Sequence, residues 1–246
     1  MNDTLSLMQS HRSDRSYSSE PVSDALLDEI VKAAQCGPSS MNGQQTSLVV
    51  VRDPAMRARI AELAGNQPWI AQAPVFIVIV MDFYKTSLGV AQTGQQQIIH
   101  ESVEGYTAGA IDAGITLGNL MTAARSCGLG IVPIGGIRRN LQALIDLLEL
   151  PPFTFPLAGL CIGHIAKAAP QKPRLAMASY RHDEHYRRDG LPGLIREYDD
   201  TLVKYWRETG RADGVSWSAN LANFFTKVYF NDVKSVAAKQ GFLNDK

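Results

Sequence analysis

Leu129-Gly130-Ile131-Val132-Pro133-Ile134-Gly135-Gly136-Ile137-Arg138-Arg139-Asn140 reads as a strand over 129–134 that runs into paired glycines. Glycines directly after a strand let a ligand approach the backbone N–H groups. The stretch is neither G-x-G-x-x-G nor G-x-x-x-x-G-K-[ST]. It therefore carries neither the dinucleotide fingerprint nor a phosphate-binding P-loop.

Outward from this stretch, helices and strands alternate. Upstream, Ser23 or Asp24 caps a helix running to Ala34, with Leu26, Leu27, Ile30, Val31 and Ala34 on one apolar face. Gly37-Pro38 stops it. Residues 48–51 and 75–81 read as strands, the second rich in β-branched side chains, with a helix over 54–64 between them. A long helix over 106–127 carries Gly109, Gly114 and Gly118. Each interior glycine costs a helix about 1 kcal/mol relative to alanine, so the glycines imply closely packed neighbours or else a merely tolerated composition bias. Downstream, a helix over 141–148 is closed by Pro151-Pro152 and followed by a strand over 157–162. Beyond residue 175 strand signals fade, and helices are expected over 191–207 and 217–239. The reading is an α+β core over 1–175 with a helical excursion over 176–246, packed together as one structural domain.

Composition excludes several function classes. The 246 residues carry 24 Lys plus Arg against 24 Asp plus Glu, a net charge of +0 that argues against a nucleic-acid surface. The longest apolar run, residues 73–81, is too short to span a bilayer. The opening Met1-Asn2-Asp3-Thr4 lacks the basic and apolar regions of a secretory signal. Three cysteines, Cys36, Cys127 and Cys161, make an odd number without C-x-x-C spacing, which fits a reducing cytoplasm and no zinc site. Cys36, following a helix close to the 38–45 loop, is a candidate redox thiol, although three scattered cysteines read more readily as small core residues.

The chemistry-bearing residues sit at element junctions. His11-Arg12-Ser13-Asp14-Arg15 and Lys172-Pro173-Arg174 are compact cation clusters. A guanidinium grips a phosphate with two parallel N–H groups and a lysine adds a point charge, so the two clusters brought together would clamp a phosphate. Taken alone, each is also compatible with solvated surface. Gly37-Pro38-Ser39-Ser40-Met41-Asn42-Gly43-Gln44-Gln45 and Gly65-Asn66-Gln67 offer hydroxyls and amides that suit a heteroaromatic edge, or a plain turn. His182-Asp183-Glu184-His185 has ligand-type side chains but no metal-motif spacing, and reads as surface charge. Trp69, Trp206, Trp217, Phe224, Phe225, Tyr229 and Phe230 read as packing residues.

In this order, HRSDR at 11–15, PSSMNGQQ at 38–45, Gln67, LGIVPIGGIRRN at 129–140, PLAGLCIG at 156–163 and KPRL at 172–175 resemble the FMN-dependent nitroreductase family. The resemblance is to the group with the major oxygen-insensitive nitroreductase and flavin reductase P. It implies an α+β fold: a mostly antiparallel central sheet flanked by helices, in an intertwined homodimer with a C-terminal helical excursion and two FMN at the interface. It implies that His11, Arg12, Ser13, Lys172 and Arg174 hold the FMN phosphate. Arg15, Ser39, Ser40, Asn42, Gln67, Ile134, Gly135 and Gly136 would line the isoalloxazine, with Arg15 favouring the anionic reduced flavin.

The implied activity is ping-pong, two-electron transfer from NADPH or NADH to nitroaromatics, quinones, flavins or related electron-poor acceptors. The flavin carries the chemistry, so no catalytic side chain and no metal is expected. Arg207 and Arg211 stand where the resemblance implies recognition of the NADPH 2′-phosphate, although a helix-end cation pair accounts for them equally. A non-catalytic flavin carrier or sensor is the alternative reading. Expected partners are a second copy of the chain and small acceptors, with neither nucleic acid nor membrane.

Overall fold

A computed structural model describes residues 2–242. In chain order the elements are α1 (Asp3–Gln9), α2 (Asp24–Gln35), β1 (Thr46–Val51), α3 (Pro54–Leu63), α4 (Pro68–Gln72), β2 (Val75–Asp82), α5 (Phe83–Ala91), α6 (Val103–Ser126), β3 (Gly130–Ile134), α7 (Leu141–Leu147), β4 (Thr154–Gly163), α8 (Leu191–Glu208), α9 (Trp217–Phe225) and α10 (Val233–Lys239). Two compact units form: the described part of Met1–Ala169 with Phe230–Lys246, and Pro170–Tyr229.

The larger unit is built on a sheet of order β1-β2-β4-β3, antiparallel at every pairing. All eight residues of β2 are buried. Side chains alternate across a strand, so Phe76, Val78 and Val80 pack with Ile60, Ile70 and Leu144 from α3, α4 and α7. Val75, Ile77 and Ile79 face the other way, onto Leu27 and Ile30 of α2 and Ala113 and Leu120 of α6. The continuous apolar run of β2 thus reflects cover on both faces. A third cluster joins Met81, Phe83, Phe155 and Val236 around Phe242, which is completely buried.

Two prolines mark irregular places in the sheet. Pro133 lies in β3, an edge strand, where a missing N–H costs no ladder bond on the open side. Pro156 flanks a bulge: Ile79 pairs with Ala158 and Val80 with Pro156, leaving Leu157 as the extra residue. The Leu157 carbonyl, free of the ladder, accepts from Arg138 Nη1.

The structure corrects the expectation for the long helix. Gly109 is closely packed, since a Cβ there would lie 2.3 Å from Met81 Sδ. Gly114 and Gly118 have no atom within 4 Å of that position among the described residues. The expected helix over 217–239 is two helices, α9 and α10, separated by a non-helical Thr226–Asp232 stretch. The short helices α1, α4 and α5 carry no strong signal in the sequence.

Candidate functional site

The HRSDR turn is organised by its acid. Asp14 is 1% exposed. Its N–H donates to Ile131 O of β3 at 2.9 Å, which fixes the turn to the sheet edge. Its Oδ1 accepts from Arg12 Nε at 3.3 Å and from Ala169 N at 3.0 Å. Its carbonyl accepts from the Tyr17 hydroxyl at 2.7 Å. Burial pushes that hydroxyl far above its ordinary range, so it stays a donor. Arg125, in the last turn of α6, donates to Leu7 O, Ser10 O and Ser10 Oγ, closing α1 onto the start of the turn. His11 and Ser13 are half-buried beside these anchors, and Arg12 keeps 38% of its side chain exposed. Arg15 is exposed, with its guanidinium carbon 5.3 Å from the centroid of the Trp69 ring.

The 38–45 loop is strained and pinned at one point. Met41, Asn42 and Gln44 have φ of 52°, 55° and 51°, each costing on the order of 1–3 kcal/mol for a residue other than glycine. Asp112 of α6, itself buried, takes the Ser40 N–H on both oxygens and Gln45 Nε2 at 2.6 Å. Ser39 Oγ accepts from Gln44 N at 3.0 Å. The loop tip projects, with Met41 98% exposed.

Gln67 and Gly136 do meet. A Cβ on Gly136 would fall 2.1 Å from Gln67 Nε2 and 2.8 Å from Ala64 O. Glycine is therefore required there for close approach, and Gln67 Nε2 is already donating to Ala64 O at 2.8 Å. Ile134 is buried at the end of β3, and Gly135 and Gly136 begin a 3-10 turn with no side-chain cap on its first N–H groups.

In the smaller unit, Lys172 and Arg174 are exposed, and Arg174 Nη1 donates to Lys172 O and Pro173 O. The Tyr198 hydroxyl braces the same segment by donating to Pro173 O at 3.0 Å. Burial raises the Tyr198 and Tyr205 hydroxyls above their ordinary value. Arg207 and Arg211 part company. Arg207 is exposed in the last turn of α8, whereas the Arg211 guanidinium carbon sits 4.4 Å from the Trp206 centroid.

Five packing expectations are corrected. Phe224, Phe225 and Tyr229 are 50%, 72% and 51% exposed within the single chain. Cys36 and Cys127 are exposed, and only Cys161 is a core thiol. Sequence reasoning passed over Asp14, Asp112, Arg125 and Trp206 as site-forming residues. The usable signal was a lone acid in a cationic turn and a lone acid in the Ala/Gly-rich stretch 108–114.

A model of the nitroreductase family matches residues 8–164, and one of the nitroreductase family, C-terminal domain, matches 172–245. The chain belongs to the nitroreductase family. Among relatives within it, FMN reductase [NAD(P)H] of Bacillus subtilis (strain 168) is 41% identical, with 100% of both chains covered. Oxygen-insensitive NADPH nitroreductase of Salmonella typhimurium (strain LT2) is 34% identical over 98% of this chain and 99% of that protein. The solved structure of B. megaterium NfrA2 superposes with a TM-score of 0.97 at 40% identity, covering 100% of each chain.

The nitroreductase family implies FMN, and the donor set suits it. Arg12 and Arg15 offer planar N–H forks, Ser13 a hydroxyl, Gln67 an amide and Gly135-Gly136 uncapped N–H groups. These are phosphate and heteroaromatic partners. Among the described residues no cluster of three His, Cys, Asp or Glu side chains converges as a metal site.

Proposed function

We propose that this nitroreductase-family chain is an FMN-dependent NAD(P)H oxidoreductase reducing nitroaromatics, quinones, flavins or related electron-poor acceptors. The observation that carries the reading is the Asp14-braced turn, which holds the Arg12 guanidinium at a sheet edge with Ser13 and Arg15 as its neighbours in sequence. His11, Arg12 and Ser13, with Lys172 and Arg174, hold the FMN phosphate. Arg15, Ser39, Ser40, Asn42, Gln67, Ile134, Gly135 and Gly136 line its ring. When bound, FMN supplies the two-electron carrier between nicotinamide and acceptor. The chain supplies orientation: Trp69 holds Arg15 in place, and the 3-10 turn aims backbone donors. Arg207 and Arg211 read the 2′-phosphate of NADPH.

The working form is a homodimer. Asp112, which anchors Ser40, and Arg125, which anchors Ser10, lie on one helix. At 1.5 Å per residue they stand about 20 Å apart. That span supports a ring-lining loop supplied by the partner subunit. Open Gly114 and Gly118 and exposed Phe224 and Phe225 support it further, as surfaces a second copy would cover. No described helix is long and apolar enough to cross a membrane, and three free cysteines suit a cytoplasmic location.

An anaerobic absorbance spectrum of purified protein, taken before and after stoichiometric NADPH or NADH and then a quinone, tests the reading. Bleaching and recovery of bound flavin are expected. Flavin that bleaches with neither coenzyme would instead identify a carrier or sensor, and no flavin uptake from added FMN would overturn both.

A further inference from the structure

Trp206 is the most enclosed aromatic side chain of the smaller unit, at 9% exposure. Its Nε1 donates to Val215 O at 3.1 Å, and Gly214 lies so close that a Cβ there would be 2.2 Å from the indole Cγ. The ring is therefore locked in orientation. Two cations attend it: Arg211 Cζ at 4.4 Å from the centroid and Lys172 Nζ at 5.2 Å. The Arg211 backbone is tied to the same residue, its N–H donating to Trp206 O at 2.7 Å. All three line a cavity of about 320 Å³ together with Tyr198, Trp217 and Asn220.

We propose that Trp206 is a shared positioning residue, whose one indole ring orients Lys172 toward the FMN phosphate and Arg211 toward the 2′-phosphate of NADPH. The proposal rests on the cofactor reading above. A guanidinium bound to an aromatic ring through its face keeps its in-plane N–H edge for a second partner. Arg211 held on Trp206 has thus already lost much of the freedom that a phosphate ester would otherwise have to restrict. Lys172 gains the same restriction from the same side chain. Arg207, exposed on α8 and without a side-chain partner among the described residues, has no such support. The consequence is that FMN retention and NADPH preference share one determinant, although different cations serve each.

The test combines Trp206→Leu and Trp206→Phe with Lys172→Ala and Arg211→Ala. It reads the FMN content of purified protein, the Kd for added FMN, and the Kd for 2′,5′-ADP by isothermal titration calorimetry, with 5′-AMP as control. Trp206→Leu is expected to weaken both FMN and 2′,5′-ADP by roughly tenfold and leave 5′-AMP unchanged. Trp206→Phe, which keeps a weaker π-face, is expected to weaken both by about threefold. It serves as the deciding variant if the leucine variant does not fold by circular dichroism. If both Trp206 variants bind both probes like the parent while Lys172→Ala loses FMN and Arg211→Ala loses 2′,5′-ADP, the shared role is overturned and the cofactor reading stands. If Lys172→Ala and Arg211→Ala also bind like the parent, the cofactor reading itself fails.

Discussion

Arg12 Nε meets the buried Asp14 carboxylate at 3.3 Å, and the same oxygen takes the Ala169 N–H at 3.0 Å. One acid therefore holds both a proposed phosphate ligand and the last residue before the chain enters the smaller unit. Asp14→Ala leaves that N–H without its acceptor, at a cost of about 1–3 kcal/mol. Urea unfolding of the flavin-free protein should show this loss, with Asp14→Asn losing less because its amide oxygen can still accept. An unchanged midpoint in both variants would remove Asp14 from its bracing role.

The phosphate clamp makes a separate claim. Arg12→Ala, or Lys172→Ala with Arg174→Ala, should yield purified protein largely without FMN, because a phosphate dianion loses its charge partners. The absorbance ratio of flavin to protein measures it directly. Full flavin occupancy in these variants would refute the assignment.

The helix glycines should divide by environment. Gly109→Ala forces a Cβ against Met81 and Phe83 and should cost about 1–3 kcal/mol through overpacking. Gly118→Ala meets nothing within the chain, so its only intrinsic effect is a helix gain of up to about 1 kcal/mol. If a second copy covers that face, Gly118→Leu should shift sedimentation toward monomer while Gly109→Ala does not. Parent-like sedimentation of Gly118→Leu would remove this face from the dimer contact.

Cysteine reactivity should follow burial. Burial pushes the Cys161 thiol well above its ordinary value, by disfavouring the thiolate, so at pH 8 it stays protonated and unreactive. A disulfide reagent should reach Cys161 only in denaturant. Mass mapping that finds Cys161 labelled in native protein at the rate of Cys127 would contradict the placement.

Much of the fold was legible because its signals are local and redundant. The β-branched run of β2, the Ser23 cap of α2 and the Pro54 start of α3 each specify an element by neighbouring residues alone. The helices α1, α4 and α5 are short, and α4 has only five residues, so tertiary contacts rather than periodicity fix them. The break between α9 and α10 follows Lys227-Val228-Tyr229-Phe230, whose β-branched and aromatic residues lose rotamer freedom in a helix. At the site, the cations were visible in sequence as a cluster. Their anchors were not, because Asp14 pairs with residue 169 and Asp112 with residues 40 and 45, separations no local pattern reports. The exposed Phe224 and Phe225 misled for a related reason: an apolar side chain signals that it will be covered without saying by which chain.

Phe242 lies in the core beside Phe83 and Phe155, and Phe153 N donates to Gln240 O at 2.9 Å. The segment 170–229 is for that reason an interior insertion with both ends anchored, rather than a free tail. Such an insertion can lengthen or shorten at a closure cost that grows only logarithmically with its length. The insertion can accordingly vary in length and sequence while the antiparallel sheet and the helices that cover it keep their fold.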